Sequence, residues 1–458
     1  MKILRIIARL NVGGPARHVV WLTEALNDGE FESLLLAGTV PPTEEDMGYF
    51  ADQHGVKPVF IEEMSRELSP KDAVSLWKVW RRVLAEKPDI IHTHTAKAGT
   101  IGRVAGFLYK WITPSVLIGR PRRVKLIHTY HGHIFHSYYG KAKTRLFLFI
   151  ERTLARLATD KILTITEQQR KEIHEDYGVG AGGQFEVVPL GIDLSVFEDP
   201  GSRRKLLRDE IGAADGDIVV GIVGRLTEIK DHELFLRAAR ELSHEGHEVH
   251  GSNEPGSRAR DRQIKFVVIG DGHLRVELEE LAEKLGLDER VDFIGNREDP
   301  DVFYAGLDIV ALTSRNEGTP LSLIEAMANR IPVVSTAVGG VVDLVGDRRQ
   351  ETGDIIGTRS ASDGQDRSQK SEVGSQKSEI VSQGEERAQS SIAVCERGVS
   401  VHSREPEDFA AAISLLVNDI GLRERIADAG FQFVKAKYDK SRLVSDIKKL
   451  YRELIVED

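Results

Sequence analysis

Ile218-Val219-Val220-Gly221-Ile222-Val223 runs directly into Gly224-Arg225-Leu226-Thr227-Glu228-Ile229-Lys230, and this junction decides the fold. An unbroken run of Val, Ile and Gly is what a parallel strand needs when both of its faces are covered. The polar turn that follows ends the strand, and a helix-length periodic segment comes next. Working outward, the same unit recurs: 265–269, 291–294, 309–312 and 332–335 read as strands with helices between them. An earlier set carries strands at 2–8, 33–37, 90–93 and 125–130, with helices near 16–26, 73–84 and 144–157. Strand–helix alternation of this kind predicts an α/β chain with two doubly wound, Rossmann-like parallel sheets. The simplest arrangement sets the two domains facing across a cleft. Residues 1–190 form the first domain and 191–435 the second. The hinge is Val188-Pro189-Leu190-Gly191-Ile192-Asp193, and 436–458 is a C-terminal helix expected to pack back on the first domain. Ligands of such sheets bind at the carboxyl ends of the strands, which is where chemistry is to be sought.

The composition narrows the function classes. The chain has 458 residues, 41% apolar and 29% charged, an ordinary globular mixture with enough apolar material for sizeable cores. Its net charge of −10 argues against a dedicated nucleic-acid binder. A single cysteine, Cys395, excludes an intramolecular disulfide and fits a reducing compartment. Arg5 and Arg9 interrupt the N-terminal apolar run before it reaches signal-peptide length, and no apolar stretch approaches the roughly 20 residues of a spanning helix. A cytoplasmic protein is expected. Two segments break the pattern. Residues 350–389 are rich in Ser, Gln, Gly, Glu and Arg and partly repeat themselves, as Ser368-Gln369-Lys370-Ser371-Glu372 and Ser375-Gln376-Lys377-Ser378-Glu379. Such material buries too little apolar surface to offset its ordering entropy, so it reads as a disordered insertion, and 246–262 as a shorter one.

Several stretches carry chemistry. Asn11-Val12-Gly13-Gly14-Pro15 follows the first strand and opens a helix; it is either a plain turn or a place where a phosphate or sugar approaches backbone N–H groups. Arg225 and Lys230 leave a strand end together, as a solvated pair or as two cations that hold a diphosphate. The richest stretch is Thr313-Ser314-Arg315-Asn316-Glu317-Gly318-Thr319-Pro320-Leu321-Ser322-Leu323-Ile324-Glu325. Thr319 before Pro320 predicts a helix start, with Thr319 as the capping side chain. Free N–H groups near Gly318 and Leu321 would then face an anionic ligand, and the helix dipole would favour it. Glu317 on the loop suits sugar hydroxyls, and Glu325 within the helix suits the two hydroxyls of a ribose.

His128, His131, His133 and His136 crowd one strand end, and His92 and His94 share one face of another. They suit a polar sugar pocket or structural histidines better than a metal site, since no cysteine is nearby and Glu151 is the closest carboxylate downstream. From 101 to 161 there are twelve basic and two acidic residues, a local charge of +10, interleaved with aromatics such as Phe107, Tyr109, Trp111 and Phe149. Two readings fit: a face that lies on anionic lipid, or the core side of a helix with its arginines solvated.

Taken in order, these motifs resemble glycosyltransferase family 4, the retaining, nucleotide-sugar-dependent enzymes of the GT-B fold. The resemblance covers nearly the whole chain outside the two insertions. It rests on Gly13-Gly14, Thr129-Tyr130-His131-Gly132, the 188–193 hinge, Gly224-Arg225 with Lys230, Gly270-Asp271-Gly272, the Glu317…Glu325 pair and Gly339-Gly340. It implies that Arg225 and Lys230 hold the donor diphosphate and stabilise the leaving group, that Glu325 binds the ribose, and that Glu317 contacts the donor sugar. It also implies that His131 lies beside that sugar across the cleft, that Gly13-Gly14 packs near the diphosphate with Gly318, Thr319 and Leu321 lining it, and that Asn296 and Arg297 frame the base. His131, Glu317, Arg225 and Lys230 are the residues it would make catalytic. Where the family usually has a glutamate, this chain has Asp343.

The implied enzyme is a metal-independent, hexosyltransferase-type retaining glycosyltransferase with no cofactor beyond a UDP-sugar or GDP-sugar donor. Its acceptor would be a saccharide or lipid-linked saccharide in polysaccharide or glycoconjugate biosynthesis. No nucleic-acid partner is expected. A peripheral position on the inner face of the cell membrane, through 101–161, would follow from the lipid reading. The rivals are a nucleotide-sugar epimerase on the same fold and a non-catalytic sugar-nucleotide binding protein.

Overall fold

The structure, a computed structural model, describes residues 1–11, 13–41, 46–64, 70–131, 141–197, 201–244, 263–347 and 391–456. It divides into two units. Met1–Asp193 with Ala436–Asp458 form one, and Leu194–Lys435 form the other.

The first unit is built on seven strands: β1 Lys2–Ile7, β2 Glu32–Gly38, β3 Val59–Ile61, β4 Ile90–His94, β5 Lys125–Thr129, β6 Lys161–Thr164 and β7 Phe185–Val187. They hydrogen-bond in the order β3-β2-β1-β4-β5-β6-β7, every pair parallel. The second unit also has seven: β8 Ile218–Val223, β9 Ile264–Ile269, β10 Val291–Gly295, β11 Ile309–Leu312, β12 Val333–Thr336, β13 Ile392–Val394 and β14 Val399–Val401. Their order is β10-β9-β8-β11-β12-β14-β13, parallel except for the antiparallel β13–β14 pair at the edge. Both are therefore doubly wound α/β sheets, with the order reversing between β1 and β4 in one and between β8 and β11 in the other. Those reversals are the places where an open sheet leaves a crevice at its strand ends.

The strands read from apolar runs are all present, with no end displaced by more than one residue. The three-residue strands β3, β7, β13 and β14 carry too short a run to stand out, and β6 adds one turn-flanked strand more. Apolar helix faces cover the sheets. In the second unit Phe235, Leu236, Phe409 and Ile413 pack with Val220, Ile222 and Phe266, all at most 1% exposed. In the first, Leu443, Ile447 and Tyr451 of the helix Lys440–Val456 lie with Ile3, Ile90 and Ile127 of the sheet. The hinge is tied to this returning chain: the Ile192 N–H donates to Tyr438 O at 2.7 Å, and Arg442 donates to the carbonyls of Pro189 and Leu190. Residues 246–262 and 350–389 lie outside the described residues.

Two local expectations are corrected. The helix after the Glu317 loop is Leu321–Ala328, with Pro320 at the capping position and no side-chain cap; Thr319 Oγ1 is buried with no hydrogen-bond partner among the described residues. Arg103 and Glu151, counted with a solvated basic face, are buried against each other: Arg103 Nη2 donates to both oxygens of Glu151 at 2.7 Å, and the Tyr130 hydroxyl donates to Oε2 at 2.6 Å.

Candidate functional site

In the second unit the sequence-selected residues gather at the carboxyl ends of β8 and β11. Gly224-Arg225-Leu226 leaves β8 and is fixed by two backbone bonds, Gly224 N–H to Ile269 O and Leu226 N–H to Asp271 O. Gly270, at φ 137°, packs so closely that a Cβ there would lie 2.1 Å from Gly224 O, so the Gly270-Asp271-Gly272 motif supports the Arg225 turn. Arg225 itself is exposed and makes no hydrogen bond or ion pair among the described residues. Its guanidinium is left for a ligand.

Lys230 and Glu317 are brought together from 87 residues apart. The hydroxyl of Thr313 donates to the carbonyls of Lys230 and Asp231, and the Arg315 N–H donates to Ile229 O, so the two loops are stitched side by side. Lys230 Nζ then donates to Glu317 Oε1 at 2.5 Å, and Ser314 Oγ donates to the same oxygen at 2.6 Å. With both donors on Oε1, Oε2 is left to accept from a ligand hydroxyl. Asp231 anchors the arrangement by accepting from Arg315 and Arg404. Gly339-Gly340 docks on the same loop: a Cβ on Gly340 would sit 1.9 Å from Gly318 O, and the Gly340 N–H donates to Glu317 O at 3.1 Å. In the helix beginning at Leu321 the N–H groups of Leu323 and Ile324 donate to Pro320 O, while those of Leu321 and Ser322 make no hydrogen bond among the described residues, a setting that attracts anions.

Glu325 lies two turns into the loop-and-helix stretch, where the hydroxyl of the fully buried Tyr304 contacts Oε2 at 3.0 Å. Asn296 is exposed at the end of β10. Arg297 is spent structurally: its guanidinium donates to Asp299 and to both oxygens of Glu210, at 2.6–2.8 Å, and these bonds hold it above its usual pKa range. A base-framing role through that guanidinium is not what the geometry offers.

In the first unit, Gly13 has φ 154°, and Gly14 begins the helix Gly14–Ala25 with Pro15 in its first turn. That helix carries His18, which meets His94 from the end of β4 and His131 after β5. The ring centroids are 4.9 to 5.7 Å apart, and the His94 Nδ1 and His131 Nε2 atoms are 2.9 Å apart. Burial pushes His131 down to about 4 and lowers His18 and His94 well below their ordinary value, so the rings are neutral. His92 and His128 are absorbed into structure: His92 contacts the Tyr451 and Thr129 hydroxyls, and His128 contacts Thr93 Oγ1. His133 and His136 lie outside the described residues. One nitrogen from each of His18, His94 and His131 falls within 4.8 Å of the others, close enough to consider a metal. Arg5 acts on both His18 and His94, and Arg442 on His18. Arg5 is fully buried, with the Tyr451 hydroxyl and His92 as its partners. A cationic surround of this kind, as seen among the described residues, suits hydroxyl or anionic ligands.

Residues 12–196 match the sequence profile described as Glycosyltransferase Family 4, and 203–386 match that of the Glycosyl transferases group 1. The two matches take in the motif-bearing parts of both units.

The chain belongs to glycosyltransferase family 4.

Among relatives of this family 4 member, the UDP-Gal:alpha-D-GlcNAc-diphosphoundecaprenol alpha-1,3-galactosyltransferase of Escherichia coli is 28% identical over 291 residues, covering 62% of this chain and 67% of that one. The D-inositol 3-phosphate glycosyltransferase of Nocardia farcinica is 30% identical over 271 residues, covering 57% and 53%. The matched part thus spans between about half and two thirds of these relatives' length. Over the whole chain the fold is that of Anabaena HepE, solved with UDP, at a TM-score of 0.68 and 19% identity, covering 99% of this chain and 100% of that one. Sucrose-phosphate synthase of Thermosynechococcus elongatus gives 0.66 at 18%, covering 100% of each. This is the GT-B fold. No helix among the described residues is long and apolar enough to cross a membrane.

Sequence reasoning missed Ser314, Tyr304 and Arg404, which contact Glu317, Glu325 and Asp231 respectively. Ser314 stands three residues before Glu317 and was within reach of inspection. Tyr304 and Arg404 join from distant chain positions and left no local signal.

Proposed function

We propose that this chain moves a sugar from a nucleoside diphosphate to an acceptor hydroxyl with retention of anomeric configuration. The observation that carries the reading is the carboxylate of Glu317, aimed by Lys230 and Ser314 through one oxygen, beside an uncommitted Arg225 and the free amides ahead of Ser322. Arg225 and Lys230 hold the diphosphate, Glu317 Oε2 takes a hydroxyl of the donor sugar, and Glu325, steadied by Tyr304, takes the ribose.

As the anomeric C–O bond to the diphosphate breaks, negative charge grows on the departing oxygen. The two cations and the helix N–H groups are placed to offset it. The acceptor oxygen then bonds to the same face of that carbon, and its proton passes to the leaving diphosphate. Metal is not required in this scheme, because the cations supply the charge. The E. coli relative's name specifies a diphosphoundecaprenol-linked acceptor. That supports a lipid-linked saccharide acceptor here, and with it a place in glycoconjugate or polysaccharide assembly at the cytoplasmic face of a membrane.

The test is release of UDP or GDP from a panel of nucleotide sugars, with and without an acceptor fraction. Release that depends on acceptor is expected, and Arg225→Ala should lower turnover by roughly 10²-fold. Turnover of donor without acceptor would favour an epimerase. An unaffected Arg225→Ala rate would remove the cation from the site.

A further inference from the structure

The basic, aromatic-rich stretch between 101 and 161 resolves into parts with different fates. Arg103 is buried on Glu151, Tyr109 is buried, and Arg122 is committed to its own loop. Arg122 Nη1 donates to Tyr109 O at 3.0 Å, and its guanidinium lies over the Tyr109 ring. The loop 111–123, between the helix Ala96–Trp111 and β5, behaves differently. Trp111, Ile112, Leu117 and Ile118 are all exposed, Leu117 by 90% and Ile118 by 73%. Few soluble surfaces present four large apolar side chains on one short loop.

The loop is preformed. Pro114–Ile118 is a 3₁₀ turn closed by Gly119 at φ 72°, the Arg120 N–H donates to Ser115 O, and the Arg122 N–H donates to Lys110 O. Arg120 and Arg123 stand exposed beside it and make no ion pair among the described residues.

We propose that the loop 111–123 docks the first unit on an anionic lipid bilayer, with Leu117 and Ile118 entering the headgroup region and Arg120 and Arg123 on the phosphates. An apolar point flanked by free cations of one sign is complementary to a negatively charged, deformable apolar surface. A second copy of the chain is a poorer occupant, because a two-fold contact would place the same arginines against each other. The loop is at the end of the sheet opposite to His94 and His131, so lipid contact there leaves those groups clear. This deepens the membrane setting proposed above and does not depend on the reaction.

Cosedimentation of the full chain with phosphatidylcholine vesicles, with and without 30% phosphatidylglycerol, tests it. The wild type should bind only the anionic vesicles and be released by roughly 0.5 M salt, as screening predicts. The pair Leu117→Ser/Ile118→Ser and the pair Arg120→Glu/Arg123→Glu should each weaken binding by about tenfold or more. Neither pair should alter the melting temperature, since none of the four side chains is packed. Trp111→Phe should remove a lipid-induced blue shift of fluorescence.

Vesicle binding that both pairs leave intact but Arg145→Glu/Arg156→Glu abolishes would overturn the loop and move the contact to the helix Lys141–Leu157. In that case the membrane setting survives. A wild type that ignores anionic vesicles overturns both. A change of oligomeric state in the Leu117→Ser/Ile118→Ser chain, with lipid binding unaltered, would make the loop a contact between copies.

Discussion

Glu317 shows how a single side chain is made specific. A carboxylate on a loop near a strand end samples several directions, but two donors on one oxygen fix its plane and leave the other free. A hydrogen bond to a charged group contributes about 1.5–3 kcal/mol. Ser314→Ala should therefore lower kcat/KM for sugar transfer by roughly 10- to 100-fold. The melting temperature should fall by only a few degrees, since one buried hydrogen bond is lost and the fold keeps its core. A rate within twofold of wild type would mean that Lys230 alone aims the carboxylate. Glu317, Lys230 and Arg225 were legible in the sequence because a polar loop directly after a buried strand of a parallel sheet must emerge at the carboxyl end. Arg297 was not legible: it too follows a strand, yet Glu210 and Asp299 claim its guanidinium.

At the scale of elements, the informative case is the pair of helices Ala96–Trp111 and Lys141–Leu157. The first carries Lys97, Arg103 and Lys110 and the second Arg145, Arg152 and Arg156, and spacing alone is compatible with a solvated basic face. The fold instead buries Arg103 with Glu151 and Tyr130, where burial and then the Glu151 charge push the phenol pKa up. Removing one partner of a buried pair leaves an uncompensated charge and costs about 3–5 kcal/mol. Arg103→Met should lower stability by that amount in urea unfolding, and adding Glu151→Leu should restore more than half of it. If Arg103→Met proved neutral, the pair would be reached by water. The strand and helix pattern itself was legible because apolar periodicity is local. The glycine motifs were visible as motifs, and only the close approach of Gly340 to Gly318 O shows why a side chain cannot stand there.

For the molecule as a whole, the two units differ in how they meet acid. The first unit holds His18, His92, His94, His128 and His131 in positions where burial lowers their proton affinity, His131 to about 4. Rings that bind a proton more weakly when folded make acid favour the unfolded chain. Their contribution is whole above about pH 6.5, the ordinary imidazole value, and is lost as the pH falls toward 4. Among the described residues of the second unit only His232 is held similarly, also at about 4. Hydrogen exchange at pH 7.5 and pH 5 should show protection falling more in the first unit than in the second. The melting temperature should drop by roughly 5 °C or more. A single His18→Leu change should flatten that pH dependence. Equal loss in both units would mean that the buried rings take up protons in the folded state nearly as readily as in the unfolded one.

By itself the sequence determined two doubly wound parallel sheets, the polar junctions at their strand ends and the family to which those junctions belong. Each of these follows from neighbours in the chain: runs of branched apolar residues, the glycines that end them, and the spacing of charges on one turn. The tertiary structure alone decided which charges are free. Arg103, Arg225 and Arg297 look alike in sequence, and each finds or lacks a partner dozens of residues away. Ion pairing acts over about 3 Å in space, a distance that chain order does not encode.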